Sequence, residues 1–261
     1  MYKKKKQSPF SGKLRRSPGQ KLHEDLQDVV YDDLLVSMLM ITFLIALGLY
    51  EWFLYLFHSP RSPWIITIIA LITIPYFLIR IFKGHRRTEE LRLGRDGEKY
   101  VGQKLEELRA LGAEIFHDIP ADGFNLDHVV LAPSGIYCIE TKSRSKKGSS
   151  SIRYDGKELY FGKAAPDSAP IEQVQAESRW LKNLLFDLAE KRYNVQPVLI
   201  FPTWYIEYMT DTSNAQIWVM NENYFLEHLK KEAERFSSEE LRKIASLLRL
   251  YLKQKEAPSN T

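Results

Sequence analysis

The stretch "LDHVVLAPSGIYCIETK", residues 126–142, decides the fold that the sequence predicts for the larger part of this chain. Two apolar, β-prone runs flank a Pro-Ser-Gly turn, a pattern typical of two antiparallel strands joined by a short loop. If the turn is centred on the Pro-Ser pair, Ala132 pairs with Gly135. Followed outward, that register sets Asp127 opposite Glu140. A turn with a glycine bulge would shift the register by one residue, and the sequence leaves this alternative open.

Three charged side chains close the open end of this hairpin. Directly opposed residues of an antiparallel pair point to the same face of the sheet, with Cβ atoms about 5 Å apart. Lys142 lies two residues after Glu140 and therefore shares its face. Carboxylates this close repel unless a positive group lies between them, and Mg²⁺ prefers such oxygen ligands. A neighbouring lysine can orient water or stabilise charge that develops on phosphorus. The pattern indicates metal-assisted phosphodiester hydrolysis, while a plain ion network at a sheet end is the alternative.

The segments around the hairpin predict an α/β domain with a mixed central sheet. Strands such as "VVLA", "IYCI" and "VLIF" are apolar on both faces, which indicates helices on both sides of the sheet. The expected order is a helix at about 96–111, a strand at 113–119, the hairpin at 126–142, a second hairpin at 151–161, a helix at 170–193, strands at 195–204 and 215–221, and helices at about 222–235 and 238–253.

Two apolar segments precede this domain. "LLVSMLMITFLIALGLYEWFLYLF" covers residues 34–57 and "WIITIIALITIPYFLIRIF" covers residues 64–82. A helix needs about 20 mainly apolar residues to cross the hydrocarbon core of a bilayer, so the segments predict a transmembrane helical hairpin. Lysine and arginine concentrate before the first segment and after the second, and by the positive-inside rule both termini lie in the cytoplasm of a multi-pass protein of the cell membrane.

The sequence therefore divides into five parts, with a net charge of +4 over 261 residues. Residues 1–33 form a basic arm, largely disordered with a short helix, and residues 34–82 form the hairpin. Residues 83–93 form a linker, residues 94–221 the α/β domain, and residues 222–261 the C-terminal helices and tail. Cys138 is the single cysteine, which excludes an internal disulfide and a zinc site built from several thiolates.

Three blocks in this order resemble the nuclease-related domain, NERD, of the PD-(D/E)XK or restriction-endonuclease-like superfamily. They are "GRDGEKYVGQKL" (94–105), "NLDHVVLAPSGIYCIETK" (125–142) and "APIEQVQAE" (169–177). The resemblance covers roughly residues 90–205 and implies a restriction-endonuclease-like fold. Leu126, rather than the proline of the superfamily's name, precedes Asp127, and no acid or lysine of the motif is missing.

The resemblance implies a role for each motif residue. Asp127 and Glu140 would bind Mg²⁺ or Mn²⁺, together with the backbone carbonyl of Thr141, and Lys142 would act on the water or on the transition-state charge. Two further roles are less specific. Glu98 would complete the acidic cluster, or is a surface residue of its helix, and Gln173 would orient Lys142 or contact substrate, or caps its helix.

These observations predict a membrane-anchored cytoplasmic nuclease that cleaves nucleic acid, with DNA favoured over RNA. The basic stretch "KSRSKKGSS" after the motif would follow a phosphate backbone, or is a solvated loop. The alternative function is a non-catalytic nucleic-acid-binding or interaction module on the same fold, tethered to the bilayer through residues 34–82. The sequence leaves the oligomeric state open.

Overall fold

The computed structural model describes residues 26–27, 29–57, 62–145, 151–211 and 215–256. The expected disordered arm lies mostly outside these residues. The chain forms two compact units, one comprising Lys21–Leu93 and the other containing Gly94–Thr261.

The first unit contains two long apolar helices. A π-helical turn at Val29–Leu35 leads into α1 (Val36–Leu56), and α2 begins at Trp64. Both helices are long and apolar enough to cross a membrane, and almost none of their apolar residues is buried within the protein. The indole of Trp52 donates a hydrogen bond to the Thr67 hydroxyl at 3.0 Å and packs edge-on against Trp64. This contact joins the end of α1 to the start of α2, which makes the two helices candidates for the expected hairpin.

Helix α2 is longer than the sequence predicts, since it runs from Trp64 to Leu105 without interruption. The expected helix start near Asp96 is therefore wrong, and residues 83–93 belong to the same helix. The physical reason is that the intervening stretch is rich in Arg, Glu and Leu, which favour helix, and has no proline after Pro75. A 3₁₀ helix, Glu106–Leu111, follows and ends at Gly112, whose φ of 83° suits glycine.

The second unit is built on a five-stranded mixed sheet. The strands of this unit are β1 (Glu114–Pro120), β2 (Asn125–Ala132), β3 (Gly135–Thr141), β4 (Ser151–Tyr154), β5 (Leu159–Tyr160), β6 (Val195–Ile200), β7 (Tyr205–Tyr208) and β8 (Trp218–Met220). The strand order of the five-stranded sheet is β1-β2-β3-β6-β8, antiparallel from β1 to β3 and parallel from β3 to β8. A smaller sheet has the order β5-β4-β7, in which β7 was not expected from the sequence.

Helices cover both faces of the five-stranded sheet, as expected. Helix α3 (Ala169–Ala189) and α5 (Ser238–Glu256) pack on one face, where Leu181 and Leu248 share a core with Val129 and Cys138. The end of α2 and α4 (Glu222–Leu229) pack on the other face through the residues Val101, Leu105, Val130, Ile139, Phe225 and Leu226. Because β3 is central and covered on both sides, polar groups at its carboxyl end lie at the edge of two cores.

Candidate functional site

The hairpin has the predicted register. Its paired residues run from Ala132 opposite Gly135 to His128 opposite Ile139, so the turn contains no bulge. One step beyond this ladder, the Asp127 carboxylate accepts the backbone N–H of Thr141 at 2.8 Å. Since side chains alternate along a strand and Val129 and Cys138 pack towards α3, Asp127 and Glu140 belong to the α3 face as well.

A polar network joins the end of β3 to the first turns of α3. The Lys142 ammonium lies 2.7 Å from Glu140 Oε1 and donates a hydrogen bond to Gln173 Oε1 at 2.8 Å. The amide nitrogen of Gln173 donates to Glu140 Oε1 at 2.9 Å and to Glu177 Oε1 at 2.8 Å. Gln173 thus bridges the carboxylates and the lysine, and its side chain does not cap α3.

Glu177 is a member of this network that the sequence did not single out. Its side chain is only 3% exposed, and its Oε2 atom is buried without a hydrogen-bond partner. Burial, followed by the charge of Glu140, raises the pKa of Glu177 from the ordinary 4.5 to about 8. The available signal was spacing, because Glu177 follows Gln173 by four residues and therefore lies on the same face of the helix.

Glu98 is half-buried on α2 and lies close enough to the cluster to be affected by its charges. Burial, followed by the charges of Glu140 and Asp118, raises the pKa of Glu98 from the ordinary 4.5 to about 8. The preceding Gly97 explains how α2 comes so close. A Cβ atom at Gly97 would lie 1.7 Å from the hydroxyl oxygen of Ser143 and 3.0 Å from its Cβ atom, so a side chain there requires the Ser143 side chain to move.

Asp118 is the second residue that sequence reasoning missed. The β1–β2 register pairs His117 with His128 and Ile119 with Leu126, which leaves Asp118 at the position opposite Asp127. Asp118 is buried, has a φ of 53°, and accepts a hydrogen bond from the Asn125 side chain at 2.5 Å. Three successive strands therefore carry an acid at corresponding positions, namely Asp118, Asp127 and Glu140. Counting the register of β1 against β2 would have indicated this row.

The site carries more negative charge than its surroundings neutralise. Burial, followed by the charges of Glu140 and Glu98, raises the pKa of Asp127 well above its usual range, although the Thr141 N–H opposes the shift. Burial lowers the pKa of Lys142, but the neighbouring Glu140 more than compensates and the net shift is upward. Lys142 is therefore a stable cation at neutral pH, while several of the carboxyls resist ionisation.

The donor chemistry of the site fits a hard divalent cation. The available atoms are carboxylate oxygens, and one oxygen each of Glu140 and Glu177 is buried without a hydrogen-bond partner. Mg²⁺ typically binds one or two carboxylates and keeps several waters, so Asp127 and Glu140 suffice in number. Within the described ranges, no three His, Cys, Asp or Glu side chains are placed to hold a metal ion together.

Comparison with known proteins identifies the segment that contains this site. The family model described as "NERD: Nuclease-related domain" matches residues 93–202. The matched segment contains the residues Glu98, Asp118, Asp127, Glu140, Thr141, Lys142, Gln173 and Glu177. Searches of curated proteins and of solved structures gave no match.

Proposed function

Because residues 93–202 are a nuclease-related domain, we propose that this chain is a membrane-anchored nuclease that hydrolyses phosphodiester bonds. DNA is the favoured substrate over RNA, and Mg²⁺ or Mn²⁺ is the cofactor. The observation that carries the proposal is the convergence of Asp127, Glu140 and Lys142 at the open end of the β2–β3 hairpin, beside the carboxyls of Glu98 and Glu177, whose pKa values are raised.

Asp127 and Glu140 are the proposed metal-binding residues, together with the backbone carbonyl of Thr141. A bound divalent cation would supply Lewis-acid stabilisation of the charge on the phosphoryl oxygens. The Thr141 N–H holds the Asp127 carboxylate in place, which fixes one oxygen and leaves the other for a ligand. Glu98 completes the acidic cluster from α2, and the tight contact of Gly97 with Ser143 sets its position.

Lys142 is the proposed electrostatic catalyst. Its raised pKa keeps the ammonium protonated at neutral pH, so it acts as a hydrogen-bond donor and not as a general base. A donor of this kind stabilises negative charge on a phosphate oxygen or orients the attacking water. Gln173 is a positioning residue, because its carbonyl oxygen accepts from Lys142 while its amide binds Glu140.

The described part of the basic stretch favours a limited role in substrate binding. The Arg144 guanidinium lies 3.8 Å from the centre of the Phe161 ring and forms an ion pair with Asp167 at 2.7 Å. Arg144 is thus held within the domain, while Lys146 and Lys147 lie outside the described residues. Contacts of this kind to a phosphate backbone carry no base specificity, so we propose cleavage with little sequence preference.

The membrane anchoring is a proposal of its own. The two apolar helices would cross the cell membrane as a hairpin, and the basic flanks would place both termini and the nuclease-related domain in the cytoplasm. A reporter fused after Thr261 should be active only on the cytoplasmic side. A reporter that is accessible from outside would refute this orientation and the access to cytoplasmic nucleic acid.

The catalytic proposal is tested with the full chain reconstituted in lipid nanodiscs. Linear, circular and single-stranded DNA and RNA are incubated with Mg²⁺, Mn²⁺ or EDTA, and the products are resolved on gels. The variants Asp127→Asn and Lys142→Met should lose about a hundredfold or more in cleavage rate. The matched controls Asp122→Asn and Lys157→Met change exposed residues and should cleave like the wild type.

Three outcomes are distinguished in this experiment. Metal-dependent cleavage that the two site variants lose supports the nuclease. Salt-sensitive binding without cleavage would replace the proposal with the non-catalytic binding module. Neither binding nor cleavage on any substrate would refute both nucleic-acid functions.

A further inference from the structure

Arg144 lies two residues after Lys142, on the segment that leaves β3 at the candidate site. The backbone N–H of Lys142 donates to the carbonyl of Ile200 at 2.9 Å, so this segment continues beside β6 past the end of the β3 strand. The indole of Trp204 donates to the Arg144 carbonyl at 3.4 Å. The backbone that carries the two cations is therefore fixed at both positions.

Both cations of this segment interact with the beginning of α3. The Lys142 ammonium donates to Gln173 in the first turns of the helix, and Arg144 forms an ion pair with Asp167, two residues before the helix starts. Residues two apart on an extended segment share one face, and their backbones are at most about 7 Å apart. Arg144 thus extends the row of Glu140 and Lys142 by one step.

The Arg144 guanidinium is held in one orientation without being enclosed. Its central carbon lies 3.8 Å from the centre of the Phe161 ring, which packs edge-on against Phe201. Its Nη2 atom donates to Asp167 at 2.7 Å, and the second Asp167 oxygen accepts the backbone N–H of Ala169 at 3.1 Å. The Arg144 side chain is still 43% exposed. Because a guanidinium has five N–H donors, the single ion pair leaves donors for another acceptor.

These features suit the recognition of a phosphate group. The planar fork of a guanidinium matches two phosphate oxygens, and its fixed orientation lowers the entropic cost of binding. Asp167 neutralises the charge of Arg144, so the interaction depends on directed hydrogen bonds more than on general attraction. The spacing of Lys142 and Arg144 along the backbone is comparable with the spacing of neighbouring phosphates along a nucleic acid strand.

We propose that Arg144 binds the phosphate next to the one that is cleaved. The inference rests on the proposed nuclease function and specifies the substrate of that site as a strand segment with two adjacent phosphates. Lys142 acts at the cleaved phosphate, while Arg144 binds its neighbour and fixes the register of the strand. Arg144 is therefore a substrate-binding residue, and it contributes no base specificity because it contacts only the backbone.

The test measures binding of thymidine oligonucleotides in which neutral methylphosphonate linkages replace most phosphates. One oligonucleotide keeps a single central phosphate, a second keeps two adjacent phosphates, and a third keeps two phosphates separated by one neutral linkage. Dissociation constants for the full chain in detergent are measured by fluorescence anisotropy, with Ca²⁺ in place of Mg²⁺. Arg144→Gln is compared with the control Arg153→Gln, since Arg153 is also exposed and also lies over a tyrosine ring.

The wild type should bind the oligonucleotide with two adjacent phosphates at least about tenfold more tightly than either of the others. Arg144→Gln should remove this preference and leave the affinity for the single phosphate within about twofold, while Arg153→Gln should keep the preference. The comparison of oligonucleotides on the wild type holds even if the variant folds poorly.

A wild type that does not distinguish adjacent from separated phosphates would overturn the inference. Equal weakening of all three oligonucleotides by Arg144→Gln would overturn it too, because Arg144 would then act on the fold or on the general charge. Failure of the wild type to bind any of them, or an unmodified oligonucleotide, would instead refute the proposed nucleic-acid function.

Discussion

The buried carboxyl of Glu177 makes the stability of the metal-free protein depend on pH in a specific direction. Its pKa in the folded protein is about 8, whereas an exposed glutamate has a pKa of 4.5. The folded state therefore binds the proton more tightly than the unfolded state does. This stabilising contribution is fully present below pH 4.5 and is lost as the pH rises through 8.

The substitution Glu177→Gln removes this loss of stability at high pH. The glutamine keeps a side-chain oxygen that can accept the hydrogen bond from the Gln173 amide. The difference between 8 and 4.5 is 3.5 pKa units, and at about 1.4 kcal/mol per unit the upper bound is roughly 5 kcal/mol. Neighbouring carboxyls share the repulsion and water enters the charged site, and both effects reduce the cost of ionising Glu177. We therefore expect the free energy of unfolding of the variant to exceed that of the wild type by about 2 kcal/mol at pH 9. At pH 4 the two proteins should agree within about 0.5 kcal/mol.

Urea unfolding of the full chain, in detergent with EDTA and followed by tryptophan fluorescence, measures this difference between pH 4 and 9. Glu172→Gln is the matched control, because Glu172 lies on the same helix with an exposed side chain. The control should show no gain that grows with pH. A Glu177→Gln protein that is no more stable than the wild type at pH 9 would refute the assignment of a buried, charge-crowded carboxyl.

Two further substitutions test the contacts that position the site. Gly97→Ala should lower the free energy of unfolding by about 1–3 kcal/mol, because the added methyl group overlaps with the Ser143 side chain. Adding Ser143→Gly should restore most of this loss of stability. Thermal denaturation that shows no such rescue would contradict the contact between the two residues. Lys142→Met should cost about 1–2 kcal/mol in metal-free protein, since Glu140 stays buried without its ammonium partner. The exposed Lys157→Met should cost almost nothing by the same urea assay.

The hairpin could be predicted in detail because its information is local. A two-residue turn and an apolar ladder fix which residues oppose each other, and the structure confirms the register from Ala132 to His128. The register then places Asp127 and Glu140 on one face by alternation alone. The mixed sheet and the helices on both faces followed from strands that are apolar on both sides.

The rest of the fold and of the candidate site depends on contacts between segments that are far apart in the sequence. Such contacts cannot be predicted from local sequence patterns. The order β1-β2-β3-β6-β8 and the small second sheet are set by tertiary packing. Glu177 and Asp118 were missed because they reach the site only through the packing of α3 against β3 and the pairing of β1 with β2. The continuity of α2 was missed because a polar stretch resembles a linker, although its residues favour helix.

The most direct test of the central claim, that this carboxyl cluster binds a catalytic divalent cation, is calorimetry of Mg²⁺ binding at pH 7 in buffers of different ionisation enthalpy. With pKa values near 8, Glu98 and Glu177 are mostly protonated at this pH, so a cation should displace protons on binding. We predict release of about one proton per Mg²⁺, and loss of binding in Asp127→Asn and Glu140→Gln. Absence of Mg²⁺ binding, or binding that those two substitutions leave unchanged, would contradict the claim.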